Sequence, residues 1–407
     1  MALDARVRRH TTALAAAGHE VTAVGLLSDD SAAPPEMPLV PGITYAWGDR
    51  RPRVPFQGTW GWLTSGLSQR VSWGLWRRGL RHDRIAFRLV APSFAVLLRE
   101  AAKYEADIYY ANDLNTLPIA LALCRRRNTR LIYDAHEIYQ EETNTIPPAL
   151  KEAIRHVERA GAARAGAWIT VSNAIATYLA SSYDLPPPAV VRNLPEAVAD
   201  LEPSAVPDSG PLRVLYHSAN LALQGRQLQD LVDAVSGLNG QVTLTLRGNL
   251  TSRRAEELRA YLSEKLAPAQ WTLMPPTNYQ DLIREGSRHD IGVVLNSDRN
   301  LNERLTLPNK IFEYMMSGLA VLAYRTPSVA EVIESGPFGV VTPTNTVDGL
   351  RNGLRTLTEN RSELSRTKQR CRRAALETYN WSRERTKLVE LVTRLTTGLD
   401  APRPSPR

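Results

Sequence analysis

The chain is poor in cysteine and lysine and lacks any long apolar run. Only Cys124 and Cys371 occur in 407 residues, which excludes a disulfide framework and a cysteine-rich metal site. The longest apolar stretches, Val90–Leu98 and Leu319–Tyr324, fall far short of the ~20 residues that span a bilayer. Met1–His10 carries Asp4, Arg6, Arg8 and Arg9 with no apolar segment behind them, so a secretory signal is not expected. A cytoplasmic location is the expectation, extended by peripheral contact at the inner face of the cell membrane. Lysine supplies six of the 50 basic residues; with the many alanines this fits the coding bias of a high-GC bacterium. Signature motifs are missing too. There is no G-x-G-x-x-G after a strand, no G-K-[ST], no H-E-x-x-H and no G-x-S-x-G, against a dehydrogenase, a P-loop enzyme, a zincin and an α/β-hydrolase respectively. No Asp-x-Asp occurs, so no metal site and no metal-bridged diphosphate are indicated.

What is present is ordinary globular composition, 43% hydrophobic and 23% charged, with length for two or three domains. The net charge of +8 is unevenly placed: nine arginines lie between Arg50 and Arg88 against one acid, Asp83. The rest of the chain sums to zero. A basic surface for nucleic acid is not normally confined to one stretch, so no nucleic-acid partner is expected.

Strand and helix patterns alternate along the chain. Asp4–Ala17 reads as a helix with Val7, Leu14 and the alanines inward and Arg6, Arg8 and Arg9 outward. Short strands follow at Glu20–Leu26, Ile43–Trp47, Asp107–Ala111, Thr129–Tyr133, Ala167–Val171 and Ala189–Val191. The proline-bearing stretch 195–211 interrupts the alternation, which restarts at Arg213–Tyr216 and runs to Gly339–Val341. The fold class expected is α/β, two Rossmann-like doubly wound domains with a cleft between them. The expected division is 1–195, a linker at 196–211, a second domain at 212–380, a helix at 381–400 packing back on the first domain, and a disordered tail at 401–407. One strand is expected to be missing: only Met1–Leu3 precede the first helix, whereas a crossover helix needs a strand of ~5 residues and a turn before it. The true start is therefore expected upstream of Met1.

Ligands in open α/β sheets bind beyond the carboxyl ends of the strands. On a helix over Pro308–Gly318, Ile311, Phe312, Met315, Met316 and Leu319 form an apolar stripe, and Thr306, Asn309, Lys310, Glu313 and Ser317 the opposite side. Capped by Thr306 or Leu307, such a helix start with Lys310 would hold an anion, and Glu313 could accept from a vicinal diol; the alternative is a solvated polar face. The turn Ser218–Arg226 offers Arg226 to phosphate oxygens, unless Arg226 is one more surface arginine. In the first half, Tyr133-Asp-Ala-His-Glu-Ile-Tyr139 follows a strand, placing His136 and Glu137 at its end, with the turn Asn112-Asp113-Leu-Asn115 beside it as an acceptor reader.

These residues, above all Tyr133-Asp-Ala-His-Glu and Leu307-Pro-Asn-Lys-Ile-Phe-Glu-Tyr-Met, resemble retaining glycosyltransferases of family 4 with the GT-B fold. The resemblance implies a UDP- or GDP-sugar held by the second domain as co-substrate, no cofactor, and front-face transfer in which the leaving diphosphate helps deprotonate the acceptor. By match, Glu313 is the ribose-binding glutamate, Arg226 stands for a diphosphate-binding lysine, and His136 is a histidine near the donor sugar. The residues expected to carry catalysis are His136, Arg226 and Lys310. Donor binding falls to Arg226, Gly248, Thr306, Leu307, Asn309, Lys310 and Glu313; acceptor or sugar contacts fall to Asn112, Asp113, His136, Glu137 and Asn302. The chain departs from the family at Leu305, where a first glutamate would stand. A nucleotide-sugar 2-epimerase and a catalytically silent GT-B partner protein are the alternative functions.

The expected acceptor is a small molecule, a glycan or a lipid-linked compound. Trp47, Trp60, Trp62, Trp73 and Trp76 share one stretch, and Arg77, Arg81, Arg84 and Arg88 fall on one helical face near them. Residues 47–88 could lie on an anionic membrane. The other reading packs the tryptophans in the core and points the arginines at water.

Overall fold

The computed structural model describes residues 4–27, 40–48, 70–91, 93–142, 145–223, 227–296 and 299–397. The chain divides into two compact units, Met1–Arg192 with Arg385–Arg407, and Asn193–Glu384. Both are α/β with parallel strands, each a Rossmann-like domain.

In the first unit, β1 (Val21–Leu26) pairs in parallel with β2 (Ile43–Gly48) as a two-stranded sheet. A second sheet holds β3 (Ile108–Asn112), β4 (Arg130–Ala135), β5 (Ala167–Thr170) and β6 (Ala189–Val190) in that order. Among the described residues no strand joins the two sheets. The apolar contact between them runs through Leu97, Ile119 and Leu123, with Val24 and Leu26 of β1 and Tyr109 of β3 packed on the same cluster.

The second unit has one six-stranded parallel sheet, ordered β12-β11-β10-β7-β8-β9. Its strands are β7 (Leu212–Asn220), β8 (Val242–Asn249), β9 (Trp271–Met274), β10 (Ile291–Val294), β11 (Ala320–Ala323) and β12 (Gly339–Val341). The chain winds outward from β7 to β9, then returns to β10 beside β7 and winds the other way. The β7–β10 boundary is therefore the topological switch point, beside which open α/β sheets bind ligands at the strands' carboxyl ends. Separate apolar clusters cover the two faces of the sheet, one containing Val214, Tyr216 and Leu244, the other Leu215, Ile311, Phe312 and Met315. Parallel central strands buried on both faces need continuous apolar runs, and β7 and β10 supply them.

Four expectations require correction. Arg6 does not point outward: it is 2% exposed, on the buried side of the helix Ala5–Ala16 with His10, Thr11, Ala13 and Leu14. The helix expected over Pro308–Gly318 is the shorter Lys310–Met316, preceded by Asn309, and Ile311 to Met316 are all buried, so it has no solvated face. The stretch expected as a linker is tied along the second unit, where Arg372 donates to the carbonyls of Val198 and Leu201 and Lys368 to that of Ser204. The arginines 77–88 do not share one helix face: the helical residues 70–77 end in a turn with Gly79 at φ 87°, and a new helix spans Asp83–Val90. There Trp76 is fully buried, as the core reading has it, while Trp73 is half-buried; Trp60 and Trp62 lie outside the described residues.

Candidate functional site

In the second unit the candidate residues gather at the switch point. β7 runs four residues beyond its expected end, through His217 to Asn220. The β8 residue beside Ser218 is Gly248, and a Cβ there would stand 2.1 Å from the Ser218 carbonyl oxygen. Gly248 is thus required where the two strand ends approach. The Lys310–Met316 helix is bolted to the sheet by Tyr314: its hydroxyl accepts from the His217 N–H at 3.1 Å and donates to the Val293 carbonyl at 3.2 Å. Its ring lies over Gly292, where any Cβ would collide with it at 2.2 Å.

This seating sets Lys310 and Glu313, one turn apart, at the carboxyl end of β7. The Lys310 ammonium is 5.1 Å from the centre of the Tyr216 ring, a cation–π contact. Glu313 is 9% exposed, and its Oε2 lies 3.2 Å from His217 Nε2. Of the other expected donor residues, Asn309 is exposed and Thr306 half-buried, its N–H donating to the Asn302 carbonyl at 2.8 Å. Leu307 is buried in the apolar cluster beneath the helix, which leaves only its backbone for a ligand. Asn302 is also buried, inside the short helix Leu301–Leu305. Arg226 lies outside the described residues.

The first unit builds a charged cluster at the carboxyl ends of β3 and β4. Because β4 runs to Ala135, Asp134 is a strand residue with no exposure. Arg6 binds it with both arms of the guanidinium, at 3.0 and 2.8 Å, and donates its remaining nitrogen to the Val191 carbonyl at 2.8 Å. Tyr110 donates to the same carboxylate at 3.0 Å, and His10 Nδ1 lies 2.8 Å from the Tyr110 hydroxyl. His136 stands between two carboxylates, its Nδ1 2.9 Å from Asp113 Oδ1 and its Nε2 3.4 Å from Asp134 Oδ2. Asp113, in the left-handed region at φ 65°, also accepts from the Tyr139 hydroxyl.

The electrostatics follow from this geometry. Burial alone would lower the His136 pKa, but Asp113 and Asp134 outweigh it and raise it to about 9. Burial works against the charge on Asp134 as well, yet Arg6 and His136 hold its carboxyl well below the usual range. Asp113 is lowered in the same sense, mainly by His136 against the cost of burial. His10 is pushed well below its ordinary value by burial and by Arg6. At neutral pH the cluster therefore holds a charged His136 and a neutral His10. Asn112 ends β3 beside Asp113, with a buried side-chain oxygen, and Glu137 is half-buried next to His136. Among the described residues no group of three or more His, Cys, Asp or Glu side chains is arranged to hold a metal.

The structure thus brings together His136, Asp113 and Asn112 in one unit, and Lys310, Glu313 and Gly248 in the other. Sequence reasoning missed Arg6, His10, Tyr110 and Tyr139 in the first, and Tyr216 and His217 in the second. The spacing of Arg6 and His10 at i, i+4 was a readable signal of one shared face.

Comparison with known proteins places both units. Residues 3–195 match the Glycosyl transferase 4-like domain and residues 213–360 match Glycosyl transferases group 1. Among solved structures, the chain is similar to a sucrose-phosphate synthase from Thermosynechococcus elongatus at 16% identity and a TM-score of 0.73, covering 97% of this chain and 93% of that one. It is also similar to HepE from Anabaena, solved with UDP and glucose, at 18% identity and 0.62, covering 86% of each chain. TarM from S. aureus, solved with UDP among its ligands, aligns at 14% identity and 0.55 over 74% of this chain and 58% of that one. At these identities the likeness is one of fold. No curated protein matches the chain.

Proposed function

We propose that this chain, a glycosyltransferase of GT-B fold built from a glycosyl transferase 4-like domain and a group 1 domain, moves a sugar from a UDP- or GDP-sugar to a glycan-type or lipid-linked acceptor, with retention and without a metal. The observation that carries this reading is the pairing of Lys310 and Glu313 on one turn of a fully seated helix at the switch point of the group 1 domain. A fixed cation there meets the charge that builds on the departing diphosphate, and a carboxylate beside it accepts from the ribose hydroxyls. In the transfer the bond from the anomeric carbon to the diphosphate breaks, the acceptor oxygen bonds that carbon, and the acceptor proton passes to the diphosphate. Arg226 adds a second cation for the diphosphate. In the first unit Asp113 and Asn112 read sugar hydroxyls, the carboxylate as acceptor, with the charged His136 holding Asp113 in place. Retention is supported by the resemblance of both motif strings to the retaining family.

Incubation with a panel of nucleotide sugars tests this reading. Release of free nucleoside diphosphate only when cell extract supplies acceptor is the expected result, with EDTA leaving it intact. A changed sugar without release points to an epimerase, and neither outcome to a silent partner. Lys310→Ala is expected to lower turnover by about 10²-fold, the order of loss when one donor to developing charge is removed.

A lipid-linked acceptor is favoured by the surface around residues 70–88. Val71 and Leu80 are 54% and 51% exposed, among the exposed Arg70, Arg77, Arg78, Arg84 and Arg88. Exposed aliphatic side chains set among cations suit an anionic bilayer surface. Co-sedimentation with vesicles that ignores anionic lipid content would remove the membrane contact. Among the described residues no helix is long and apolar enough to cross a membrane.

A further inference from the structure

His217 has no place in the reading above, yet its Nε2 lies 3.2 Å from Oε2 of Glu313. It sits in β7, 9% exposed, with its ring edge-on to Tyr314 at a centroid distance of 4.9 Å. Its own N–H is bonded to the Tyr314 hydroxyl, so backbone and ring are both held by the side chain that bolts the 310–316 helix to the sheet. Nε2 makes no hydrogen bond of good geometry, although it is buried and lies 3.2 Å from Glu313 Oε2. A buried ring nitrogen without a partner is costly, and a small rotation of the flexible carboxylate relieves it.

We propose that His217 is a positioning residue for Glu313: it engages Oε2 through Nε2 and leaves Oε1 to accept from the ribose of the nucleotide. A free glutamate carboxylate samples a broad terminal torsion, whereas one tethered through a single oxygen presents the other in a fixed direction. The arrangement selects for a nucleoside that carries both ribose hydroxyls, because a pre-oriented acceptor gains most from a donor that meets it without rearrangement. This inference rests on the reading of Glu313 as the ribose acceptor.

The test is calorimetric titration of UDP, GDP and their 2′,3′-dideoxy forms into wild type, His217→Leu, His217→Gln and Glu313→Gln, with the melting temperature of each unliganded variant as a check on folding. Gln carries an amide nitrogen close to where His carries Nε2, so it keeps the tether that Leu removes. His217→Leu is expected to weaken ribonucleotide binding about tenfold, the scale of one hydrogen bond to a charged group, and to leave the dideoxy form unchanged. His217→Gln is expected to recover most of that loss. Equal weakening for both ligands, no weakening in His217→Leu, or no recovery in His217→Gln overturns the positioning role. Glu313→Gln separates the two levels: if it abolishes the ribose preference while His217→Leu does not, only the role of His217 falls. If Glu313→Gln keeps the preference, or wild type binds no nucleoside diphosphate, the reading of Glu313 falls and takes the role of His217 with it.

Discussion

The two units each set a histidine beside a carboxylate, but they fix it by opposite means. In the first, Asp134 is surrounded by the charged Arg6 and His136 and the neutral Tyr110 and His10, so its charge is met by opposite charge and by hydrogen-bonding groups. In the second, Glu313 lies 3.2 Å from His217, and the helix that carries it is held by apolar packing rather than by charge. Such an ionic cluster is rigid because removing a charged member strands a buried charge. A carboxylate mounted on core packing keeps an oxygen available, which suits a group that must bind something else.

The largest expected effect is on the first unit. Arg6→Met should destabilise it by about 3–5 kcal/mol, because Asp134 would be left buried without its bidentate partner; urea unfolding monitored by tryptophan fluorescence measures this. A loss under about 1 kcal/mol would mean that the cluster is not the unit's anchor.

The next effect is smaller and has a sign that pH reveals. The His136 pKa is raised from 6.5 to about 9 on folding, so its contribution is fully present below pH 6.5 and is lost as pH rises through 9. The depressed Asp134 and Asp113 act on the other side, contributing above the ordinary carboxylate value of 3.8 and failing as pH falls below it. Relative to His136→Gln, wild type should therefore lose about 3 kcal/mol of advantage across that alkaline window. Unfolding curves at a series of pH values check it, and a constant gap would remove the charge from His136.

The smallest effect provides the control. Arg81 binds Glu152 with the same two-armed geometry as Arg6 on Asp134, at 2.6 and 2.7 Å, but the side chains are 39% and 50% exposed. Arg81→Ala should cost no more than about 1 kcal/mol, since an exposed pair exchanges one hydrated state for another. A like two-armed pair with a severalfold smaller cost, even with the Arg81 contacts to the Trp76 carbonyl and ring removed as well, would point to burial as the deciding variable.

The alternation of strands and helices was legible because each half of the chain obeys period and punctuation locally. The Gly339–Val341 strand lies where the sequence places it. The errors cluster where charge is buried. A reading by apolar face turns Arg6 outward, because nothing local says that Asp134, 128 residues away, will receive it. The end of β4 was placed at Tyr133 for the same reason: an aspartate looks like a turn residue until its partner is known. Lys310 and Glu313 stand out in the sequence by their spacing and their motif, whereas a lone histidine after a strand, as at His217, carries no pattern of its own.

The seating of the Lys310–Met316 helix also bears on motion. A site built on a surface loop opens and closes at little cost, but this helix has Ile311, Phe312, Met315 and Met316 embedded in the cluster that also holds Cys371 and Ala375. Its amides should exchange with solvent only when the second unit opens as a whole. On the proposed donor role, Lys310 and Glu313 then have no private flexibility: a nucleotide would have to fit the groups as they stand, and a change of donor preference would come from replacing side chains rather than from loosening the element that bears them.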